Sequence, residues 1–189
     1  VRDYVQKAFK ELRLKAKVVK MATHKKQIQV VMEYEGKPLT ELYDRVLVSV
    51  GRVPNCEDLG LGNTKVIQDA KGFIKVDKNN KTADENIYAI GDCAGGVLLA
   101  HKASKEARIA VNAILGEDAS SENLIIPAVI FTDPEVAWCG LTETEAKQKG
   151  ITVEVVKFPW SASGRALTLD RTDGMTKLIL EPGTERVLG

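Results

Sequence analysis

Residues 86–112 constrain the chain most. They read Asn-Ile-Tyr-Ala-Ile-Gly-Asp-Cys-Ala-Gly-Gly, continue Val-Leu-Leu-Ala-His-Lys-Ala-Ser, and run on into an amphipathic stretch. Residues 87–90 are apolar, partly β-branched and uncharged, a pattern that predicts a strand buried on both faces, as in a parallel sheet. Gly91 and Asp92 end that run, so the first carboxylate falls at the carboxyl end of the strand, where open α/β sheets bind ligands. Gly95 and Gly96 allow backbone to approach a bound group closely. From Leu98 onward, Ala100, Ala103, Ala107, Ala110 and Val111 form a helical stripe of small apolar residues.

An ionised Asp92 can accept two hydroxyl hydrogen bonds. The N–H groups that open a helix near residues 98–101 favour negative charge, such as a phosphate or a reduced flavin ring. A second reading fits the same residues: Asp92 holds a turn, and the glycines serve tight packing. A short Gly-Asp-x-x-Gly-Gly loop by itself accommodates both.

Composition narrows the remaining classes. The 189 residues are 44% hydrophobic, enough to bury a sizeable core in one or two domains. Lys and Arg number 27 against 26 acids, a net charge of +1, and no charge run points to nucleic acid or a membrane surface. No apolar run is long enough for a transmembrane span or a signal-peptide core. Cys56, Cys93 and Cys139 are odd in number and far apart in sequence, which argues against a disulfide scaffold or a zinc pair, and fits reduced thiols. With His24 and His101 the only histidines, a multi-histidine metal site is not expected either.

Along the chain, Val1, Val5, Ala8, Phe9 and Leu12 recur at helical spacing with no capping residue ahead of them, so the helix reads as already under way at the first residue. Strands are expected over residues 15–23, 27–34 (Ile28, Val30 and Met32 on one face), 45–50 and 72–77, with turns at 25–26 and 35–38. Polar residues 117–123 suit a linker. Beyond it, strands over 128–131 and 136–138 flank an Asp133-Pro134 turn, and Thr142 to Glu145 has capping-box spacing for a helix that stops at Gly150. Strands over 151–158, 175–180 and 186–188 complete an antiparallel α+β pattern, the last two joined by a turn at 181–184.

Residues 87–104 resemble the flavin-binding segment of the pyridine nucleotide-disulfide oxidoreductases, in which a buried strand leads into Ile-Gly-Asp and then Leu-Ala-His. The resemblance implies that Asp92 binds the ribityl chain of FAD, and that Leu98, Leu99, Ala100 and His101 lie beside its isoalloxazine. Residues 48–55 are similar to the family's Gly-Arg-x-Pro-Asn element, which implies NAD contacts at Gly51 and, by its place after Lys-Ala-Lys, at Val18. By residue type alone Val18 reads as a core valine, and Arg52 equally as a surface charge.

Residues 129–149 and 158–177 resemble the family's dimerisation domain. Thr132-Asp133-Pro134-Glu135-Val136-Ala137-Trp138 and Phe158-Pro159-Trp160-Ser161-Ala162-Ser163-Gly164-Arg165-Ala166 are nearer to the dihydrolipoyl-oxidising members than to the glutathione or mercuric reductases. Trp160 and Arg165 are interface candidates on that basis, and by type a core aromatic and a solvated arginine. The implied layout is an α/β remnant of the NAD and FAD/central domains (1–50 and 51–118), followed by the first part of an α+β dimerisation domain with an antiparallel sheet (119–189). Implied partners are a second copy of the subunit and the lipoyl domains of 2-oxoacid dehydrogenase complexes. The implied location is the cytoplasm, or the mitochondrial matrix in a eukaryote.

The implied reaction passes two electrons from a dihydrolipoyl dithiol through a disulfide and FAD to NAD. It needs a local cysteine pair, a His-Pro base and Gly-x-Gly-x-x-Gly phosphate loops. None occurs here, so no catalytic residue is assigned, and the pattern implies an internal segment of a longer flavoenzyme. Two alternatives remain open at this point: a sister reductase of the glutathione or mercuric type, and an inert scaffold or interaction module.

Overall fold

Alternating apolar residues build the first sheet. In the computed structural model, which describes residues 2–122 and 124–189, β1 (Lys17–His24), β2 (Gln27–Tyr34) and β3 (Lys37–Tyr43) form an antiparallel sheet in the order β1-β2-β3. Val30 and Met32 of β2 are buried on one face, the alternation read from the sequence. Val1, expected in the first helix, and Asn123, expected in the linker, lie outside the described residues.

The strand β3 was not foreseen. Pro38 reads as a turn residue, and in fact sits on this edge strand opposite Glu33, where its missing N–H is tolerated. Helix α1 (Arg2–Ala8) is shorter than its apolar spacing suggests, and Phe9 beyond it is exposed. The strand expected over residues 45–50 is absent: Leu47 and Val50 are 92% and 91% exposed. A strand needs a neighbour to receive its backbone groups, and no described strand runs alongside this one.

The chain divides into two compact units, Val1–Arg52 and Val53–Gly189. In the second, a core of Cys56, Ile74 and Ala89 is packed by Leu61, Val66, Val76, Cys93 and Ala94. The strands expected over 72–77 and 87–90 are reduced to single antiparallel bridges, Gln68 to Ile74 and Lys81 to Tyr88. Residues 87–89 are engaged on one side only, by the Thr82 N–H to the Ile87 carbonyl (2.9 Å) and the Ala89 N–H to the Asn80 carbonyl (3.0 Å). Ile90 is exposed, so the strand buried on both faces in a parallel sheet is not formed within this chain. An apolar run of this length fits a central strand, but it becomes one only where neighbours pair with it on both edges.

The rest of the second unit is α+β and antiparallel, as expected. Helix α2 (Ala100–Ile114) leads to the hairpin of β4 (Ala128–Ile130) and β5 (Val136–Trp138), whose connection holds a cis Asp133–Pro134 bond. Helix α3 (Glu143–Lys149) has the full capping box between Thr142 and Glu145 and stops at left-handed Gly150. Strand β6 (Glu154–Pro159) pairs with β7 (Met175–Leu180), and Val187 bridges back to Leu180 after the turn. A short helix, α4 (Gly164–Thr168), went unforeseen; its Ser163 cap sits in an Ala-Ser-Gly run that reads as loop.

Candidate functional site

The loop between residues 90 and 100 is built around a glycine. Gly91 opens a 3-10 turn, Gly91–Ala94, at φ +75°, a conformation that other residues adopt only with strain. It is buried against α2, where a Cβ would stand 3.0 Å from the Ala103 Cβ. Gly95 also has positive φ, and a Cβ there would come within 3.3 Å of the Phe73 ring.

Two charged residues of α2 hold Gly91 in place. Glu106 accepts the Gly91 N–H at 2.7 Å, and the Lys102 ammonium donates to the Gly91 carbonyl at 3.2 Å. Lys102 and Glu106 pair with each other at 2.8 Å. Sequence reasoning missed both. The sequence holds part of the signal, since 102, 106, 109 and 110 share one helical face; that this is the buried face is seen only in the structure. Charges at i and i+4 on a buried face mark a paired, internal role.

Asp92 follows Gly91 directly and is half-buried, as are Leu98 and Leu99; Ala100 and His101 are exposed. The structure thus gathers five of the expected residues around the start of α2. The His101 ring nitrogen Nε2 lies 2.6 Å from the Pro127 carbonyl, which can only accept, so Nε2 carries the proton. Leu99 precedes α2 in an extended conformation without a side-chain cap, so no side chain covers the first-turn amides from that position. In the first unit, Val18 lies in β1 opposite Met32, just before a register shift, and is 54% exposed rather than in a core. Gly51 has φ +127° with open space where a Cβ would stand.

The three cysteines are free. Distant in sequence, Cys56 and Cys93 meet in the core of the second unit, where burial, and then the neighbouring Cys93, push the Cys56 thiol pKa up. Cys93 donates to the Ile90 carbonyl at 3.2 Å. Among the described residues no cluster of His, Cys, Asp or Glu has the makings of a metal site, and no helix is long and apolar enough to cross a membrane.

The donor set suits part of a flavin. A carboxylate on a tightly held turn can accept from sugar-alcohol hydroxyls, uncapped helix amides face electron-rich atoms, and two leucines supply an apolar wall. The missing Cβ at Gly91 and Gly95 makes room for Ala103 and the Phe73 ring, so these glycines fit the loop closely to its own neighbours and hold it in shape.

Comparison with known proteins decides the family. The pyridine nucleotide-disulphide oxidoreductase domain matches residues 1–107, and the dimerisation domain of the same family matches residues 126–189. The chain belongs to the pyridine nucleotide-disulphide oxidoreductase family. Within that family, the dihydrolipoyl dehydrogenase of Haemophilus influenzae is 46% identical over 185 residues, which are 98% of this chain and 38% of that protein. The Bacillus subtilis protein of the same name is 46% identical over 162 residues, 86% of this chain and 34% of its own length. Among solved members, LpdA from Mycobacterium tuberculosis superposes with a TM-score of 0.80 at 27% identity, over 92% of this chain and 37% of that one. The HOCl-induced flavoprotein disulfide reductase RclA from Escherichia coli gives 0.77 at 31% identity, over 90% and 39%. This chain therefore spans about 38% of the length of its first curated relatives.

Proposed function

We propose that the chain is an internal segment of a flavin-dependent dihydrolipoyl dehydrogenase, in which it supplies one wall of the FAD site. The observation that carries this reading is the Gly91-Asp92 turn, held by buried charges ahead of an uncapped helix. Identity of 44–46% over 86–98% of the chain to proteins named dihydrolipoyl dehydrogenase supports the choice of substrate.

FAD, when bound, supplies the two-electron relay between a substrate dithiol and NAD. The Asp92 carboxylate would accept hydrogen bonds from the ribityl hydroxyls and fix the orientation of the cofactor. The amides at Ala100 and His101 would favour the electron-rich edge of the ring, and Leu98 and Leu99 would exclude water from it. Val18 and Gly51 are the proposed NAD contacts; at Gly51 the absence of a side chain leaves room for the cofactor. Residues 1–50, 51–118 and 119–189 would belong to the NAD, central and dimerisation domains. The parent would act as a cytoplasmic homodimer that receives electrons from lipoyl domains of 2-oxoacid dehydrogenase complexes.

In the full-length protein, Asp92→Ala is expected to release FAD on dialysis, because each unsatisfied buried hydroxyl costs about 1–3 kcal/mol. Full flavin absorbance in the dialysed variant would refute the role given to Asp92.

A further inference from the structure

We propose that Lys102 and Glu106 are positioning residues for the flavin, a charged clamp on both peptide groups of Gly91 that aims the Asp92 carboxylate. The proposal rests on the reading of Asp92 given above. Lys102 and Glu106 are 7% and 6% exposed, an unusual fate for two charges on a helix that has solvent along its other face. Their contacts close a ring. One Glu106 oxygen accepts from Lys102 and the other from the Gly91 N–H, while Lys102 also reaches the Gly91 carbonyl.

Packing alone does not call for this arrangement. A pair of apolar side chains of similar size would bury the same helix face at equal or lower cost, since desolvating two charges offsets most of their attraction. Apolar side chains cannot serve the Gly91 N–H and C=O, and those two groups belong to the successive peptide planes on either side of the Gly91 Cα. Without a Cβ, Gly91 would otherwise let either plane turn. With both planes held, the direction in which Asp92 leaves the backbone is set before any ligand arrives, and binding need not order the loop. The Lys102 stem also passes Gly96, where a Cβ would stand 3.4 Å from Cε.

The test is a mutant cycle in the full-length flavoenzyme, read by FAD titration of the apoprotein through flavin fluorescence and by the melting temperature of the apoprotein. Lys102→Met/Glu106→Met, which leaves the two buried Gly91 groups without partners, is expected to melt somewhat below the parent and to bind FAD about tenfold or more weakly. Glu106→Gln, which keeps an acceptor for the Gly91 N–H, is expected to lose less. Added to Asp92→Ala, the methionine pair should weaken binding little further, because a clamp that acts through Asp92 has nothing left to aim. Parental FAD affinity in the methionine pair, or losses that simply add to that of Asp92→Ala, overturns the clamp while leaving Asp92 its role. Parental affinity in Asp92→Ala itself removes the flavin assignment and the clamp with it. Should the methionine pair fail to fold, Glu106→Gln and Glu106→Ala decide: equal FAD affinities at equal melting temperatures overturn the proposal.

Discussion

Gly174 packs against the indole of Trp160: a Cβ on its Cα would overlap the ring atoms Cε3, Cζ3 and Cδ2. The same indole donates to the Thr176 hydroxyl at 3.0 Å, and the Trp160 N–H donates to the Gly174 carbonyl at 2.9 Å. Backbone and ring are locked together, so an added methyl cannot be absorbed by a rotamer change without breaking one of these bonds. Gly174→Ala is therefore expected to destabilise the protein by about 1–3 kcal/mol, the usual cost of overpacking. Calorimetry checks the loss. In a Trp138→Phe background, a red shift of the remaining tryptophan emission checks that the indole has been expelled. An unchanged melting temperature with unchanged emission would contradict the packing described.

The first unit carries a pH-dependent element. Arg13 meets Glu41 through two hydrogen bonds of 2.7 Å, and the Tyr43 hydroxyl donates to the same carboxylate. Arg13 first, and Tyr43 second, hold the Glu41 pKa down at about 2 against an ordinary value of 4.5. A depressed carboxylate pKa contributes stability that is complete above the ordinary value and is lost as pH falls toward the folded one. The contribution of this pair should thus disappear between about 4.5 and about 2. A carboxyl-carbon NMR titration is expected to find Glu41 ionised well below the ordinary glutamate value, and Arg13→Met to bring it back toward that value. An ordinary Glu41 titration in the unsubstituted protein would show that the pair does not persist in solution.

How far the sequence revealed this protein depends on what each segment needs from its neighbours. Segments that satisfy themselves were legible: the β2 alternation, the Thr142 to Glu145 capping box with its Gly150 stop, and the 181–184 turn that brings Val187 back to Leu180 all come from local chemistry. Residues 45–50 and 87–90 have the composition of buried strands, but a strand forms only against a partner, and composition does not say whether one is at hand. The site was half legible. Asp92 stands out through the likeness of its segment to the family's flavin-binding stretch; by residue type alone it reads equally as the holder of a turn. Lys102 and Glu106 were lost in a helix read by its small apolar residues, because a buried ion pair and a solvated one look alike until the far side of the helix is known.

That difference between local and tertiary demands separates three glycines that share a positive φ. Gly91, Gly96 and Gly36 have φ of +75°, +72° and +73°, and alanine at each meets backbone strain of about 1–2 kcal/mol. At Gly36, on the β2–β3 turn, nothing lies within 4 Å of the added methyl, so strain is the whole cost. At Gly96 the methyl meets only the Lys102 stem at 3.4 Å, which can give way. At Gly91 it would press on the Ala103 Cβ at 3.0 Å, a side chain without any freedom of its own, and push the turn off α2 and away from Glu106. The expected order of thermal destabilisation is Gly91→Ala greatest, then Gly96→Ala, then Gly36→Ala. On the functional reading proposed for Asp92, only Gly91→Ala should combine its loss of stability with a large fall in FAD affinity. Equal melting temperatures for all three variants would show that the contact between Gly91 and α2 is not tight, and the turn would then lack the rigid support that its proposed role demands.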